Sequence, residues 1–112
     1  MTDVAALRAE LREELSKGRI VETHLREDGY VLYGLCNHTN QTVYIDPAPA
    51  IVETLLHELM HRRWPSWGET RVIAEARRVF ADMTPADVRR WYRLYLKSRT
   101  IRAKAVDAGL DA

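Results

Sequence analysis

The sequence predicts one α+β domain with an N-terminal helix, a small three-stranded sheet, and a second half made of helices. Segments rich in β-branched and aromatic residues fill much of positions 19–46, whereas apolar residues recur at helical spacing before and after them. The chain has 112 residues, a usual length for one domain, and no repeat or linker interrupts it. We therefore take residues 1–112 as a single domain, with residues 99–112 as a peripheral C-terminal helix or tail.

Composition excludes several classes of protein. The chain is 46% hydrophobic and 29% charged, as expected for a globular domain, and its single cysteine, Cys36, excludes an intramolecular disulfide framework. No apolar run approaches the ~20 residues of a membrane-spanning helix, and the N-terminus lacks the features of a signal peptide. We therefore expect a cytoplasmic protein with no membrane partner.

Charge is unevenly placed along the chain. The net charge is +1, with net −5 on residues 1–61 and net +6 on residues 62–112. The overall balance does not favour a protein held on nucleic acid by total charge. Mutual neutralisation of the two halves is therefore favoured over a nucleic-acid partner for the basic half.

The first half predicts one helix and three strands. Asp3 is a candidate N-cap and Gly18 a candidate stop for a helix with one apolar stripe, made of Val4, Leu7, Leu11 and Leu15. Strand candidates follow at residues 19–26, 30–36 and 41–46, with a turn predicted at Asp28-Gly29. Pro47 and Pro49 are expected to end this sheet-forming half.

The second half predicts three helices before the tail. The first runs from about residue 50 to residue 63 and stops before Pro65. The second begins at Ser66. The third begins at Thr84, because Thr84-Pro85-Ala86-Asp87 combines a capping residue, a proline in the first turn and an acid three residues later.

One segment of the first of these helices indicates chemistry, the run His57-Glu58-Leu59-Met60-His61. Histidines four residues apart project from one side of a helix, so both imidazoles can reach one metal ion. Zinc suits two nitrogen donors and keeps a position for water in catalytic sites. Glu58 lies about 100° further around the helix, where it can act as a base on that water. The alternative is a pair of surface histidines on an amphipathic helix.

A third metal ligand must come from elsewhere, and no histidine follows His61. On a helical wheel Glu69 falls within the apolar stripe of its helix, whereas Glu75 falls on the flank. A glutamate aimed into a core needs a strong partner such as a metal. Glu69 is therefore the preferred third ligand and Glu75 the second choice. A capping box with Ser66 is the alternative role for Glu69.

The motif and its surroundings resemble the small gluzincin-type metallopeptidases. These are minimal HExxH zincin domains, including phage- and mobile-element-encoded peptidases and relatives of the ImmA/IrrE and SprT-like groups. The resemblance covers roughly residues 30–80. It implies a minimal zincin-like fold and a zinc peptidase in which His57, His61 and Glu69 bind Zn²⁺ and Glu58 is the base. It matches no residue to an oxyanion-stabilising role, for which the candidates by chemistry alone are His38, Tyr44, Arg62 and Arg71.

The predicted function is therefore a zinc-dependent endopeptidase that acts on a protein or peptide through a metal-activated water and Glu58. The strand 42–46 is expected either to pair with an extended substrate or to be an ordinary sheet strand. Cys36 is a less favoured candidate for a thiolate that blocks the zinc. Two other functions stay open: a non-catalytic zincin-like domain, and an adaptor that binds nucleic acid or protein through the basic half.

Overall fold

The computed structural model describes residues 3–25 and 30–101, and the α+β prediction is confirmed there by four helices and a three-stranded mixed sheet. In chain order the elements are α1 (Val4–Ser16), β1 (Ile20–Glu22), β2 (Gly34–Asn37), β3 (Thr42–Ile45), α2 (Ala48–Arg63), α3 (Glu69–Ala81) and α4 (Pro85–Ser98). The predicted turn at Asp28-Gly29 and the tail from residue 102 onwards lie outside the described residues.

Helix α1 begins and ends where the sequence predicts. The Asp3 carboxylate accepts a hydrogen bond from the Ala6 backbone N–H at 2.9 Å, and Gly18 follows the helix with a φ of +75°, which favours glycine. None of its residues is buried, and it packs against no other helix or strand of the described chain. Its apolar stripe is therefore exposed.

Strand β3 is the centre of the sheet. It pairs in parallel with β1, where Val21 lies opposite Tyr44, and antiparallel with β2, where Leu35 lies opposite the same residue. Because neighbouring strands take both edges of β3, this strand cannot also pair with an extended peptide. The expectation of substrate pairing at residues 42–46 is wrong, and the segment is an ordinary sheet strand.

A buried aspartate joins the sheet to α2. Asp46 Oδ1 accepts a hydrogen bond from the Ala48 backbone N–H at 3.0 Å, and Oδ2 accepts one from the Leu25 backbone N–H at 3.1 Å. Helix α2 begins at Ala48, two residues before the predicted start, because proline is well tolerated at the beginning of a helix. Pro49 therefore belongs to the first helical turn and does not precede the helix.

Helix α2 is central to the helical half, since it packs against both α3 and α4. The buried apolar residues all come from these three helices: Ala48, Val52, Leu56, Val72, Ala76 and Val88. The α3 stripe is only partly covered, because Ile73 and Val79 stay exposed. Within residues 3–25 and 30–101, no helix has the length and apolar character needed to cross a membrane.

Helices α3 and α4 begin in different ways. The capping box predicted for α4 is present: Thr84 Oγ1 accepts the Asp87 N–H at 3.1 Å, and Asp87 Oδ2 accepts the Thr84 N–H at 3.0 Å. The backbone hydrogen bond from Thr84 is the main cause of the lowered pKa of Asp87. Helix α3 begins at Glu69 after Gly68, with no side-chain cap. The predicted start at Ser66 and its capping box with Glu69 are therefore wrong.

We predict that Thr84→Ala lowers the free energy of unfolding by about 1 kcal/mol, since it removes an N-cap acceptor. Ser66→Ala is the matched control and should change stability little, because this hydroxyl caps no helix. Urea unfolding followed by circular dichroism measures both. Equal effects of Thr84→Ala and Ser66→Ala would contradict the assignment of the caps.

The pKa of Asp87 is lower in the folded chain than in the unfolded chain. The stabilising effect of this carboxylate is therefore complete above the ordinary value of 3.8 and is lost as pH falls through the lowered value.

We predict that Asp46→Ala is strongly destabilising, by about 2 kcal/mol or more, because two backbone N–H groups lose their acceptor. Asp82→Ala is the control at an exposed helix end and should stay within about 0.5 kcal/mol of the parent. The same unfolding measurement applies. Similar stabilities for the two variants would show that Asp46 does not hold the start of α2.

Candidate metal centre

Two imidazoles lie side by side on α2. The rings of His57 and His61 have centroids 4.9 Å apart, and both side chains are partly buried, with exposed fractions of 25% and 32%. Val52 and Leu56 belong to the buried core and hold the helix against its neighbours. The histidines therefore flank the packed surface of α2. The surface alternative requires fully solvated histidines, whereas these two side chains are partly buried.

The start of α3 brings a carboxylate to both imidazoles. Glu69 Oε1 lies 2.7 Å from His57 Nε2, and Glu69 Oε2 lies 3.1 Å from His61 Nε2. Each carboxylate oxygen thus faces a different histidine. These three residues form the one group of candidate metal ligands found in the described part of the chain, with ligand atoms that all lie within 4.8 Å of one another.

The helical wheel does not predict how the Glu69 side chain comes to lie next to the histidines. The wheel predicts a side chain aimed into the core, but Glu69 is the first residue of α3 and its side chain is 61% exposed. A short connection, residues 64–68, returns the chain from α2 to α3 and places the carboxylate over the histidines. The prediction that the Glu69 side chain points into the core is therefore wrong, although its carboxylate does lie next to both imidazoles.

The donor set fits a zinc ion. Zinc binds histidine nitrogen and carboxylate oxygen at about 2.0–2.2 Å, and two histidines with one glutamate form a known type of catalytic site. Tetrahedral geometry at these lengths separates ligand atoms by roughly 3.3 Å. The observed separations of 2.7 and 3.1 Å involve two different carboxylate oxygens, and the ligand atoms all lie within 4.8 Å of one another, so side-chain rotations would be needed to seat the ion.

Glu58 lies beside this group without belonging to it. Its Oε1 is 3.8 Å from His57 Nε2, beyond hydrogen-bond distance, and its side chain is 68% exposed. Glu58 and His57 also line one cavity. This carboxylate is therefore free to interact with a molecule in the cavity, as expected of a base that is not a ligand.

The cavity lies between α2 and α3 and has a volume of about 340 Å³. Apolar side chains and charged groups both line it, and its lining consists of Glu53, Thr54, His57, Glu58, Ile73, Ala76 and Arg77. Glu53 precedes His57 by four residues, and Arg77 follows Ile73 by four, so each helix contributes one side. The sequence analysis missed these flanking residues, although the four-residue spacing from Glu53 to His57 to His61 was visible in the sequence.

A tyrosine next to the edge strand β2 contacts the wall of the cavity. The Tyr33 hydroxyl donates a hydrogen bond to Glu53 Oε2 at 2.7 Å. Burial raises the pKa of Tyr33, and the neighbouring carboxylate of Glu53 raises it further, so the phenol stays protonated and continues to donate. This contact joins the residue before β2 to Glu53, which lines the cavity together with His57.

Other residues named in the sequence analysis lie elsewhere. Glu75, the second choice of ligand, pairs with Arg78 at 3.1 Å and is not part of the metal-ligand group. Cys36 is exposed in β2 and is also outside that group. All four oxyanion candidates are described residues, and none lines the cavity: His38, Tyr44, Arg62 and Arg71.

Comparison with known proteins adds no family to this description. No model of a known protein family, no curated protein and no solved structure matches the chain. The resemblance to gluzincin-type peptidases stays an expectation from the motif.

We predict that Glu69→Ala weakens zinc binding more than Glu75→Ala does. Loss of a partner that only supports a ligand typically costs 10–100-fold in metal affinity, so loss of Glu69 should cost about 100-fold or more. Glu75→Ala is the matched control and should leave affinity nearly unchanged, because Glu75 faces Arg78. Competition for zinc against a chromophoric chelator gives both values. The reverse order would overturn the choice of third ligand.

Proposed function

We propose that the chain is a zinc-dependent endopeptidase with His57, His61 and Glu69 as metal ligands and Glu58 as general base. The observation that carries the proposal is the position of Glu69, whose two oxygens lie 2.7 and 3.1 Å from the two Nε2 atoms. Two imidazoles and one carboxylate provide three protein ligands and leave a coordination position for water. That is the arrangement of catalytic zinc sites, whereas structural sites use four protein ligands.

Each residue has a distinct part in this chemistry. When bound, zinc would supply Lewis-acid polarisation of a substrate carbonyl and a water of pKa near 7. Glu58 is next to a ligand along α2 but is not held by it, so its carboxylate can accept a proton from a water in the cavity. The same carboxyl group can then donate that proton to the amine that leaves.

The surroundings of the centre support a peptide as the substrate. Ile73 and Ala76 give the cavity an apolar surface, and Thr54 adds a hydroxyl that can donate or accept a hydrogen bond. The edge strand β2 begins at Gly34, next to Tyr33, whose hydroxyl contacts the cavity wall. In this proposal an extended substrate pairs with β2, because the central strand β3 has no edge left.

We predict that Glu58→Gln keeps zinc but loses peptide hydrolysis, by about 10²–10⁴-fold, since the amide cannot accept the proton. The measurements are the zinc content of the purified protein and cleavage of an unfolded protein and a mixed peptide library, followed by mass spectrometry. Glu75→Gln is the matched control, because the same substitution lies outside the cavity, and it should cleave as the parent does.

Three outcomes decide between the functions. Hydrolysis that survives in Glu58→Gln would remove Glu58 from its role. A parent protein that binds one zinc but cleaves no peptide would favour the non-catalytic zincin-like alternative. A parent protein that binds no zinc would rule out the proposed enzyme altogether.

A further inference from the structure

The connection between α2 and α3 holds four stacked side chains. The indole rings of Trp64 and Trp67 are nearly parallel, with an interplanar angle of 9° and centroids 4.4 Å apart. The guanidinium carbon of Arg63 lies 5.4 Å from the ring centroid of Trp64, and that of Arg71 lies 4.0 Å from the ring centroid of Trp67. We call this row, Arg63, Trp64, Trp67 and Arg71, the tryptophan stack.

The stack spans both helices that bear the candidate ligands. Arg63 is the last residue of α2 and follows His61 by two positions. Arg71 is the third residue of α3 and follows Glu69 by two positions. The two indoles lie between these arginines, in the connection itself. The stack therefore joins the chain beside one ligand to the chain beside another.

Backbone hydrogen bonds restrain the two ends of the connection, from the Trp64 N–H to the Met60 carbonyl at 2.9 Å and from the Val72 N–H to the Gly68 carbonyl at 3.1 Å. Gly68, the residue before Glu69, provides no side-chain cap for α3, and the Glu69 side chain is mostly exposed. One backbone hydrogen bond, from the Trp67 N–H to the Trp64 carbonyl at 3.0 Å, closes a turn within residues 64–68. Aromatic stacking and a guanidinium over each indole ring are both attractive. The side-chain stack thus adds restraint where hydrogen bonds are few.

We propose that the tryptophan stack is a positioning element that holds Glu69 opposite both imidazoles. This inference rests on the metal centre of the proposed function. His57 and His61 share one turn of α2, so the helix fixes their separation. Glu69 is the first residue of α3, so its position depends both on the packing of α3 against α2 and on the course of residues 64–68. If residues 64–68 varied freely in conformation, the Glu69 carboxylate would lie next to the two imidazoles only part of the time.

The central test replaces Trp67, one of the two indoles of the tryptophan stack. Trp67→Leu should lower zinc affinity about 10–100-fold, the usual effect of losing a group that orients a ligand. Trp67→Phe keeps an aromatic face and should recover most of that loss. Trp91→Leu is the matched control: Trp91 packs against the core from α4, so its loss should lower stability but leave the zinc affinity of the folded protein unchanged.

Three measurements separate positioning from general stability. Competition with a chelator gives zinc affinity, and urea unfolding of the metal-free protein gives stability. Visible spectra of the Co²⁺-loaded protein report the ligand set directly, and Trp67→Leu should shift toward the spectrum of Glu69→Ala. A stack that only stabilised the fold would lower unfolding free energy and leave both the spectrum and the zinc affinity as they are.

A second variant keeps the inference testable if Trp67→Leu fails to fold. Arg71→Gln removes an exposed cation from the end of the stack and should weaken zinc binding several-fold. Arg78→Gln is its control on the same helix, since Arg78 pairs with Glu75 away from the site. Zinc affinities equal to the parent in Arg71→Gln and in every folded Trp67 variant would overturn the inference.

The outcomes also distinguish this inference from the proposed function. A parent protein without zinc affinity contradicts both. A parent that binds zinc and cleaves peptides, with stack variants that bind zinc equally well, contradicts the stack alone. If Trp67→Leu keeps zinc but loses salt-sensitive binding to single-stranded DNA, the stack is a base-stacking surface and the positioning role is wrong.

Discussion

The candidate site depends on one arrangement, a carboxylate on α3 that faces two imidazoles on α2. The pitch of a helix sets the distance between the histidines, but only tertiary packing can bring the third donor to them. Helix α3 packs against α2, and Val72 and Ala76 on α3 are buried, so the two helices are in contact where the site forms. The group formed by His57, His61 and Glu69 therefore depends on the apolar contact between the two helices.

The site keeps its charges at the protein surface. Glu69 and Glu58 are more than half exposed, and the two histidines are only partly buried. Burial of an unpaired carboxylate is costly, so a small domain with few core residues gains by keeping its acids near water. The cavity between the helices nevertheless provides apolar surface beside Glu58 and His57, from Ile73 and Ala76. Charged groups and apolar side chains therefore lie next to one another at the site, and none of these charged groups is deeply buried.

Much of the fold could be predicted because its signals are local. The α1 cap, the α4 capping box and the pair of imidazoles on α2 follow from residues three or four positions apart. The parallel pairing of β1 with β3 could not be predicted, since it joins segments more than twenty residues apart. Glu69 was chosen for a direction that it does not have, because the wheel assumed a helix that continued back to Ser66. No local pattern in the sequence shows that Trp64 and Trp67 stack across a turn.

The way α2 is anchored gives the two sides of the centre unequal support from the rest of the fold. Asp46 ties the first turn of α2 to the segment after β1, and α4 packs along the same helix. Helix α3, in contrast, packs against α2 and no other element of the described chain. The imidazoles therefore belong to the helix with the most neighbours in the described chain, whereas the carboxylate depends on one helix contact and on the connection 64–68.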